Sequence, residues 1–593
     1  MNKVAIIDFG GQYTHLIARR IRNLGVYSEI VQPEDLQQHN DYQGIIFSGG
    51  PQSVNEADAY RIDLDLQQNK IPILGICYGH QVLAAMLGGT IESGENKEYG
   101  FTEIFCANDG HLFSGLEEEQ TVWMSHGDHV TLLPEGFTIT ANSKSIAIAS
   151  YQSNDLKYFG TQFHPEVTHT SNGLRMLDNF ISQCVEVRDW DPQNYKDSII
   201  SEIRKSAEGK KLVLLLSGGV DSLVALELCI RAVGPERVFS IHVDTGFMRK
   251  NESSEIMKHF EELGFHNIKI IEAEDLYLKE LEGITDPETK RLIIGKLFVD
   301  IANRELSVLE KESDVMLVQG TIYPDTIESG STDKAAKIKT HHNRVSEIEK
   351  LISEGRIIEP IKELYKDEVR RLGEELELPY NLVHRHPFPG PGLAIRVICS
   401  NGSASDSDHL SEEVDFEELL NGAGLKGQIL PIKSVGVQGD FRTYHHPAVI
   451  WFEDYKNFSW KVLNRIASTI INKLSSINRL IFSPYPVDLE LKEQFLTRNV
   501  LDKLREVDHI LRQETDHVEK IWQMPVVALP LWQQNRQAFV IRPVCSTDAM
   551  TASVYEIDPQ EFLRLNDMTE KLSGVGPLLL DITTKPPGTI EWE

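Results

Sequence analysis

Short apolar runs alternate with stretches of helical periodicity along residues 1–185. Residues 4–8 (VAIID), 44–50 (GIIFSGG) and 72–77 (PILGIC) are compact, apolar and close to glycine. Runs of that length read as strands buried on both faces. Strands alternating with helices predict an α/β layer with ligands at the carboxyl ends of the strands. After a linker near residues 187–192 the pattern restarts: a strand at 211–216, a helix from 223 to 233 and a strand at 238–246. Beyond a polar stretch at 401–408 (NGSASDSD), residues 473–482 (KLSSINRLIF) recur as 571–580 (KLSGVGPLLL), 98 residues further on. Each copy reads as a helix-to-strand step. Each unit is a small α+β module, too small to bury a sheet face alone and able to pack on the other within one chain.

Length changes this picture little: 593 residues at roughly 150 per domain suggest about four domains. Charge changes it more. Lys plus Arg number 59 against 89 Asp plus Glu, a formal net charge of -30. That balance argues against a general nucleic-acid binder, which needs a basic face, and against a membrane-surface protein. Small phosphorylated ligands stay possible, because a helix N-terminus holds them inside an acidic protein. No run approaches the roughly 18 apolar residues of a membrane span. Asp8 interrupts the first apolar run, which reads as a buried strand and not as a signal peptide. Cys77, Cys106, Cys184, Cys229, Cys399 and Cys545 form no C-x-x-C pair, so a reduced, cytoplasmic enzyme is expected.

Cys77 sits in GICYGHQ (75–81), between an apolar strand and an apolar-periodic helix. Glycines two residues before and after a nucleophile allow the sharp turn of an elbow, and the helix N-terminus favours thiolate. Alone, that motif fits a buried, inert cysteine equally well. The balance shifts with QFHPE (162–166), where His164 and Glu166 supply a base and a carboxylate to orient it. Residues 217–222 (SGGVDS) form a second candidate. Strand, glycine loop and helix present backbone N–H groups and a dipole to phosphate, and Asp221 can help hold Mg²⁺ against pyrophosphate oxygens. No Walker A sequence occurs. His341 and His342 first suggest a metal site, but no Cys or HEXXH partner lies near them. The P-F-P-G-P-G stretch within 385–396 suits a rigid wall beside a site.

With FSGGPQSV (47–54) and MSHGDHV (124–130), the first motifs resemble class I glutamine amidotransferases. The resemblance implies Cys77 as nucleophile, His164 as base and Glu166 as orienter. It implies an oxyanion site at the N–H groups of Gly50 and Tyr78, and glutamine-binding places at Gln81, Ser125, Gly127 and Asp128. SGGVDS resembles the pyrophosphate loop of N-type ATP pyrophosphatases. That implies ATP contacts at Ser217, Gly218, Gly219, Val220, Asp221 and Ser222, with Val243 and Asp244 near adenosine and Lys339 over the phosphates. Joined to QGTIYPD, HPFPGPGLAIR, GVQGD and KPPGTIEWE, the whole order resembles the glutamine-hydrolysing GMP synthases.

The fold class implied is α/β: a class I amidotransferase domain (1–188), an N-type ATP pyrophosphatase domain of the adenine nucleotide alpha hydrolase type (195–398), and α+β C-terminal units at 428–485 and 520–593. The implied reaction adenylates xanthosine 5′-monophosphate (XMP) with ATP and Mg²⁺, then aminates it with ammonia from glutamine along a sheltered path. XMP contacts are implied at Arg291, Asp440, Arg442, Gln523, Lys585 and Glu591. Short members of the family pair through one C-terminal unit. The duplicated unit here, as in the long form, favours a monomer, with a homodimer as the alternative. The second copy has Gly576-Pro577 where the first has Asn478-Arg479, so an arginine role there is in doubt. Competing readings are a related amidotransferase acting on another acceptor such as deamido-NAD, a decayed glutamine or nucleotide sensor, and a tRNA-modifying pyrophosphatase. The intact triad argues against decay and the charge against tRNA.

Overall fold

The computed structural model describes residues 2–38, 41–56, 59–60, 62, 70–107, 110–167, 169–262, 264–312, 314–325, 354–384, 388–403, 412–438, 441–546, 552–585 and 587–593. The chain forms two compact units, Met1–Lys196 and Asp197–Glu593.

The first unit is built on a nine-stranded sheet in the order β2-β1-β3-β4-β9-β8-β7-β5-β6. Its parallel half comprises β1 (Lys3–Ile7), β2 (Tyr27–Val31), β3 (Gly44–Phe47), β4 (Ile73–Ile76) and β9 (Tyr158–Thr161). An antiparallel extension follows: β5 (Thr90–Cys106), β6 (Glu119–Leu132), β7 (Phe137–Ser143) and β8 (Ser150–Ser153). Helices α1 (Thr14–Asn23), α2 (Tyr78–Met86) and α3 (Gly173–Cys184) cover it. The apolar runs are buried along their length, as a sheet covered on both faces requires. The carboxyl ends of β3, β4 and β9 lie side by side and carry the chemistry.

In the second unit, β10 (Lys211–Leu215), β11 (Val238–Asp244), β12 (Ile268–Glu272), β13 (Val315–Val318) and β14 (Ile357–Ile358) make a wholly parallel sheet. The order is β12-β11-β10-β13-β14, so strand order reverses at β10. A crevice opens at the carboxyl end of such a switch point. The SGGVDS loop emerges there and runs into α4 (Val220–Val233); α5 (Pro287–Glu312) and α6 (Lys366–Glu375) complete this part.

The C-terminal region forms one further sheet. Two short antiparallel pairs, β15 (Ser400–Asn401) with β21 (Glu493–Gln494) and β24 (Val544–Cys545) with β25 (Ser553–Val554), lie outside it. The first repeat supplies β16 (Leu425–Ile429), β17 (Ser434–Gln438), β18 (Phe441–Phe452), α7 (Trp460–Lys473) and β19 (Ile477–Phe482). After β20 (Glu490–Leu491) and α8 (Arg498–Thr515), the second supplies β22 (Val526–Gln533), β23 (Arg536–Ile541), α9 (Pro559–Thr569) and β26 (Val575–Asp581).

The two copies join edge to edge, because β19 pairs antiparallel with β26 through Ile481↔Asp581 and Phe482↔Leu580. Phe482 and Leu580 are equivalent positions in the repeat, so a local two-fold axis runs through that pair. This is an isologous contact inside one chain. Continuity of the sheet, rather than face-to-face packing, is how the copies complete each other's core.

At the seam the Asp581 carboxylate accepts from Arg479 Nη1 at 2.8 Å, Arg542 Nη1 at 2.9 Å and Trp592 Nε1 at 3.0 Å. Burial alone pushes Asp581 up, but Arg542 and Arg479 hold it below the usual carboxylate range. The C-terminal residues are thereby tied into the fold, with Trp592 fully buried. Among the described residues no helix is long and apolar enough to cross a membrane.

Candidate active sites

Cys77 is the N-cap of α2 and has φ 53 and ψ -106, a left-handed conformation rare for a side-chain-bearing residue. The flanking glycines make room for it. A Cβ on Gly75 would sit 2.4 Å from the Gly79 carbonyl oxygen, and one on Gly79 would sit 2.3 Å from that of Phe47. Helix α2 is thus pressed against the ends of β3 and β4, and the strain is paid for by hydrogen bonds from Cys77 N to Thr161 O (2.8 Å) and Gly79 N to Ser48 O (3.0 Å).

His164, beyond the end of β9, interacts with Cys77 through its ring and is held at Nδ1 by Glu166 Oε1 at 2.6 Å. Their side chains are 6% and 0% exposed. Burial works against a charged imidazole, yet Glu166 and the Cys77 thiolate raise His164 to about 10. The site therefore favours the protonated imidazole on His164. The structure thus brings Cys77, His164 and Glu166 together.

Gly50 lies against Tyr78, where a Cβ would meet Tyr78 Cδ1 at 3.0 Å. The glutamine-binding candidates also converge. Cys77 Sγ approaches Ser125 O at 3.5 Å, Gln81 Nε2 donates to Asp128 O at 2.8 Å, and Ser53 Oγ donates to Asp128 Oδ2 at 2.5 Å. Gly127 lies between Ser125 and Asp128 on β6. Besides Ser53, four further residues carry no signal of their own in the sequence. Gln162 accepts from Gln81 at 3.2 Å, Tyr13 stacks edge-on to His164 at 5.1 Å, Arg20 donates to Glu166 O at 2.9 Å, and Thr170 Oγ1 donates to His164 O at 2.6 Å. Of these five, Ser53 lies within FSGGPQSV and Gln162 within QFHPE.

In the second unit, Gly218 has φ +78, which lets the loop turn upward. Ser217 Oγ accepts from Gly219 N at 3.3 Å and lies 3.2 Å from Ser222 Oγ, which itself donates to Gly219 O at 2.9 Å. Gly320, just after β13, closes in from the side; a Cβ there would be 3.1 Å from Ser222 N. Asp221 forms an ion pair with Lys366 at the start of α6, a partner the sequence did not reveal. The other Asp221 oxygen, Oδ1, is buried without a hydrogen-bond partner. An orphaned carboxylate oxygen beside a phosphate-type loop suits a divalent cation. Among the described residues no cluster of three or more His, Cys, Asp or Glu offers another metal site. Val243 is buried at the end of β11, with Asp244 as its last residue.

Of the acceptor-site candidates, Gln523 Nε2 donates to Glu591 Oε1 at 3.2 Å. Glu591 is also gripped by the fully buried Arg396 at 2.8 and 3.1 Å. Arg291 donates to the main-chain oxygen of Glu593, while neighbouring Lys290 pairs with the Glu593 carboxylate, which burial raises to about 7. Lys585 is half-buried and bridges to Ala552 through its backbone. Lys339, His341, His342 and Asp440 lie outside the described residues, as does the side chain of Arg442 on β18.

Residues 5–184 match the family described as Glutamine amidotransferase class-I, and residues 193–295 match NAD synthase. Residues 426–485 and 511–592 match the GMP synthase C terminal domain. The chain is 43% identical over 607 residues to the probable glutamine-hydrolysing GMP synthase of Leptospira interrogans, covering 100% of this chain and 99% of that one. It is 43% identical over 505 residues to that of Lactobacillus acidophilus and 42% over 502 residues to that of Clostridium tetani. Each of these two alignments covers 81% of this chain and 96% of the relative.

Proposed function

The chain belongs to the glutamine-hydrolysing GMP synthase family, and from that premise we propose how its residues divide the work. The protein is a ligase that aminates XMP to GMP, converting ATP, glutamine and water to AMP, pyrophosphate and glutamate. The observation that carries the residue assignment is the pairing, in one chain, of a strained Cys77 elbow beside the His164–Glu166 pair with an SGGVDS loop at a topological switch point.

In the first half, the Cys77 thiolate attacks the side-chain amide carbon of glutamine. The oxyanion rests on the N–H groups of Gly50 and Tyr78. The His164 imidazolium gives its proton to the departing nitrogen, so ammonia leaves and a thioester remains. A water molecule, deprotonated by the now neutral His164, then releases glutamate and restores the thiolate. Gln81, Ser125, Gly127 and Asp128 hold the substrate.

In the second half, Ser217–Gly219 and Ser222 cradle the ATP phosphates with backbone and hydroxyl donors at the α4 N-terminus. Asp221, through Oδ1, is the residue that would hold Mg²⁺, which when bound neutralises charge on the phosphate oxygens. Lys366 and Lys339 supply cations, and Val243 faces adenosine. The C2 oxygen of XMP leaves poorly until it carries AMP; ammonia then displaces AMP at C2. Arg291, Asp440, Arg442, Gln523, Lys585 and Glu591 bind XMP. The protein acts as a monomer, because the β19–β26 seam already pairs the two C-terminal copies. All six cysteines are free thiols, which supports a reducing, cytoplasmic setting.

The test is synthesis itself. Purified protein with XMP, ATP, Mg²⁺ and glutamine should form GMP, followed by nucleotide absorbance. Cys77→Ala should abolish glutamine-dependent synthesis and leave ammonia-dependent synthesis intact. No GMP with either nitrogen source would reject the assignment, and loss of both activities in folded Cys77→Ala would reject the division between sites.

A further inference from the structure

Helix α8 has no part in the reaction described above, and most of it falls in the gap between the two stretches that match the C-terminal family domain. It nevertheless reaches the nucleotide end of the parallel sheet. Arg505 donates to the carbonyl oxygens of Gly246 and, at 3.2 Å, Met248, in the loop that follows β11. Lys250 of that loop pairs with Glu506 at 2.8 Å, and Arg249 with Asp508 at 3.7 Å. Arg498 meets Glu274 at 3.0 Å and Asp275 at 2.8 Å, just past β12.

The opposite side of the loop is fixed differently. Leu393 N donates to Phe247 O at 2.7 Å, and a Cβ on Gly392 would sit 2.4 Å from that oxygen, so the proline–glycine wall presses directly on the loop. Between loop and α8 lies a cavity of about 1050 Å³, lined by Gly246, Lys250, Ser253, Ile271, Ile301 and Arg505 among others. Core packing therefore does not hold the loop on this side, and the polar contacts of α8 do. The loop also leads to the acceptor site. Arg249 lies 4.4 Å from the Phe388 ring centroid and Arg396 lies 5.2 Å from it. Arg396 in turn grips Glu591. Along this line Arg249, Asp508 and Arg396 are 8%, 3% and 0% exposed at their side chains, while Phe388 and Glu591 are half-buried.

We propose that α8 is a brace for the synthetase site: Arg505 and Asp508 are positioning residues that fix the loop after β11 beside ATP and, through Arg249, Phe388 and Arg396, the Glu591 carboxylate beside XMP. The proposal rests on the assignment of adenosine to the end of β11 and of XMP to Glu591. Pairs of this kind set the geometry of the groups that hold the two nucleotides, so their loss weakens binding of both.

The test uses the full chain with ammonia as nitrogen donor, so that the glutaminase plays no part. Arg505→Ala should raise KM for ATP and for XMP by roughly 10-fold with kcat changed by less than about threefold, the pattern of weakened binding that is equal in ground and transition states. Arg505→Lys, which keeps one donor, should recover part of the loss. Amide exchange in residues 245–251 should speed up in Arg505→Ala while Tm moves little. Unchanged KM values would overturn the brace. So would a fall in kcat and Tm together at constant KM, the mark of a merely structural helix. Glu591→Gln, measured alongside, separates the two layers: if its KM for XMP is unchanged, the XMP assignment fails; if it rises while Arg505→Ala is silent, only the brace fails.

Discussion

Replacing Glu166 by Gln keeps the shape of the glutaminase triad and removes one charge. The carboxylate touches His164 Nδ1 at 2.6 Å, with both side chains almost fully buried. It acts in two ways. First, it is the largest influence raising His164 from 6.5 to about 10, with the Cys77 thiolate next. An opposite charge this close is ordinarily worth about 1–3 pKa units, or roughly 1.4–4 kcal/mol at about 1.36 kcal/mol per unit. That alone slows the thiolate chemistry roughly 100-fold. Second, Glu166 fixes a proton on Nδ1. A Gln amide can turn its NH₂ group to Nδ1 and drive the proton to the wrong nitrogen, an error worth about 10⁴ in a serine triad.

The expected outcome is a fall in kcat for glutamine of roughly 10²–10⁴, with KM for glutamine changed by less than about threefold. Glutamate release and GMP formation with glutamine should fall together, while GMP formation from ammonium chloride stays at the wild-type rate. A loss below about fivefold would refute the role given to Glu166. An equal loss with ammonia would refute the independence of the two chemistries.

Three further outcomes follow from the geometry. Gly79→Ala places a Cβ 2.3 Å from Phe47 O and must push α2 off the sheet, so glutamine-dependent synthesis should drop at least roughly tenfold, with unfolding by urea showing a loss of about 1–3 kcal/mol. Asp581→Asn strands the buried Arg479 and Arg542 and should destabilise the second unit by about 3–5 kcal/mol, read from the urea midpoint; an unchanged midpoint would contradict the seam described here. The stability difference between wild type and Glu166→Gln should depend on pH. Folded His164 holds its proton more tightly than unfolded His164, so the stabilisation is complete below about 6.5 and disappears as pH rises through about 10. Unfolding free energies at pH 6 and above pH 10 check the sign.

The elements and chemistry closest in sequence were legible before the structure. GICYGHQ announces its elbow because both glycines lie within two residues of Cys77, and SGGVDS announces its loop because strand, turn and helix are contiguous. Lys366 was not legible, since its pairing with Asp221 spans 145 residues and nothing local distinguishes it from a solvated lysine. In sequence Arg396 reads only as part of a rigid wall, yet it holds Glu591 from 195 residues away. The repeat was visible as spacing. That its copies meet strand to strand at Phe482 and Leu580 was not, because register between distant strands is decided by shared burial and not by either strand alone.

The seam between β19 and β26 has a consequence for how this protein responds to dilution and to mutation. Two separate subunits find each other at a rate set by concentration; two copies on one chain do not, so this pairing survives at any dilution that leaves the chain folded. A symmetric dimer also repeats every substitution on both sides of its axis. A covalent pair is free of that constraint, and one copy can keep Arg479 to clasp Asp581 and Asn478 to hold Ser434, while the other carries Gly576-Pro577 at the matching place. The axis thus marks where the two halves became able to diverge, each free to accept changes its counterpart does not share.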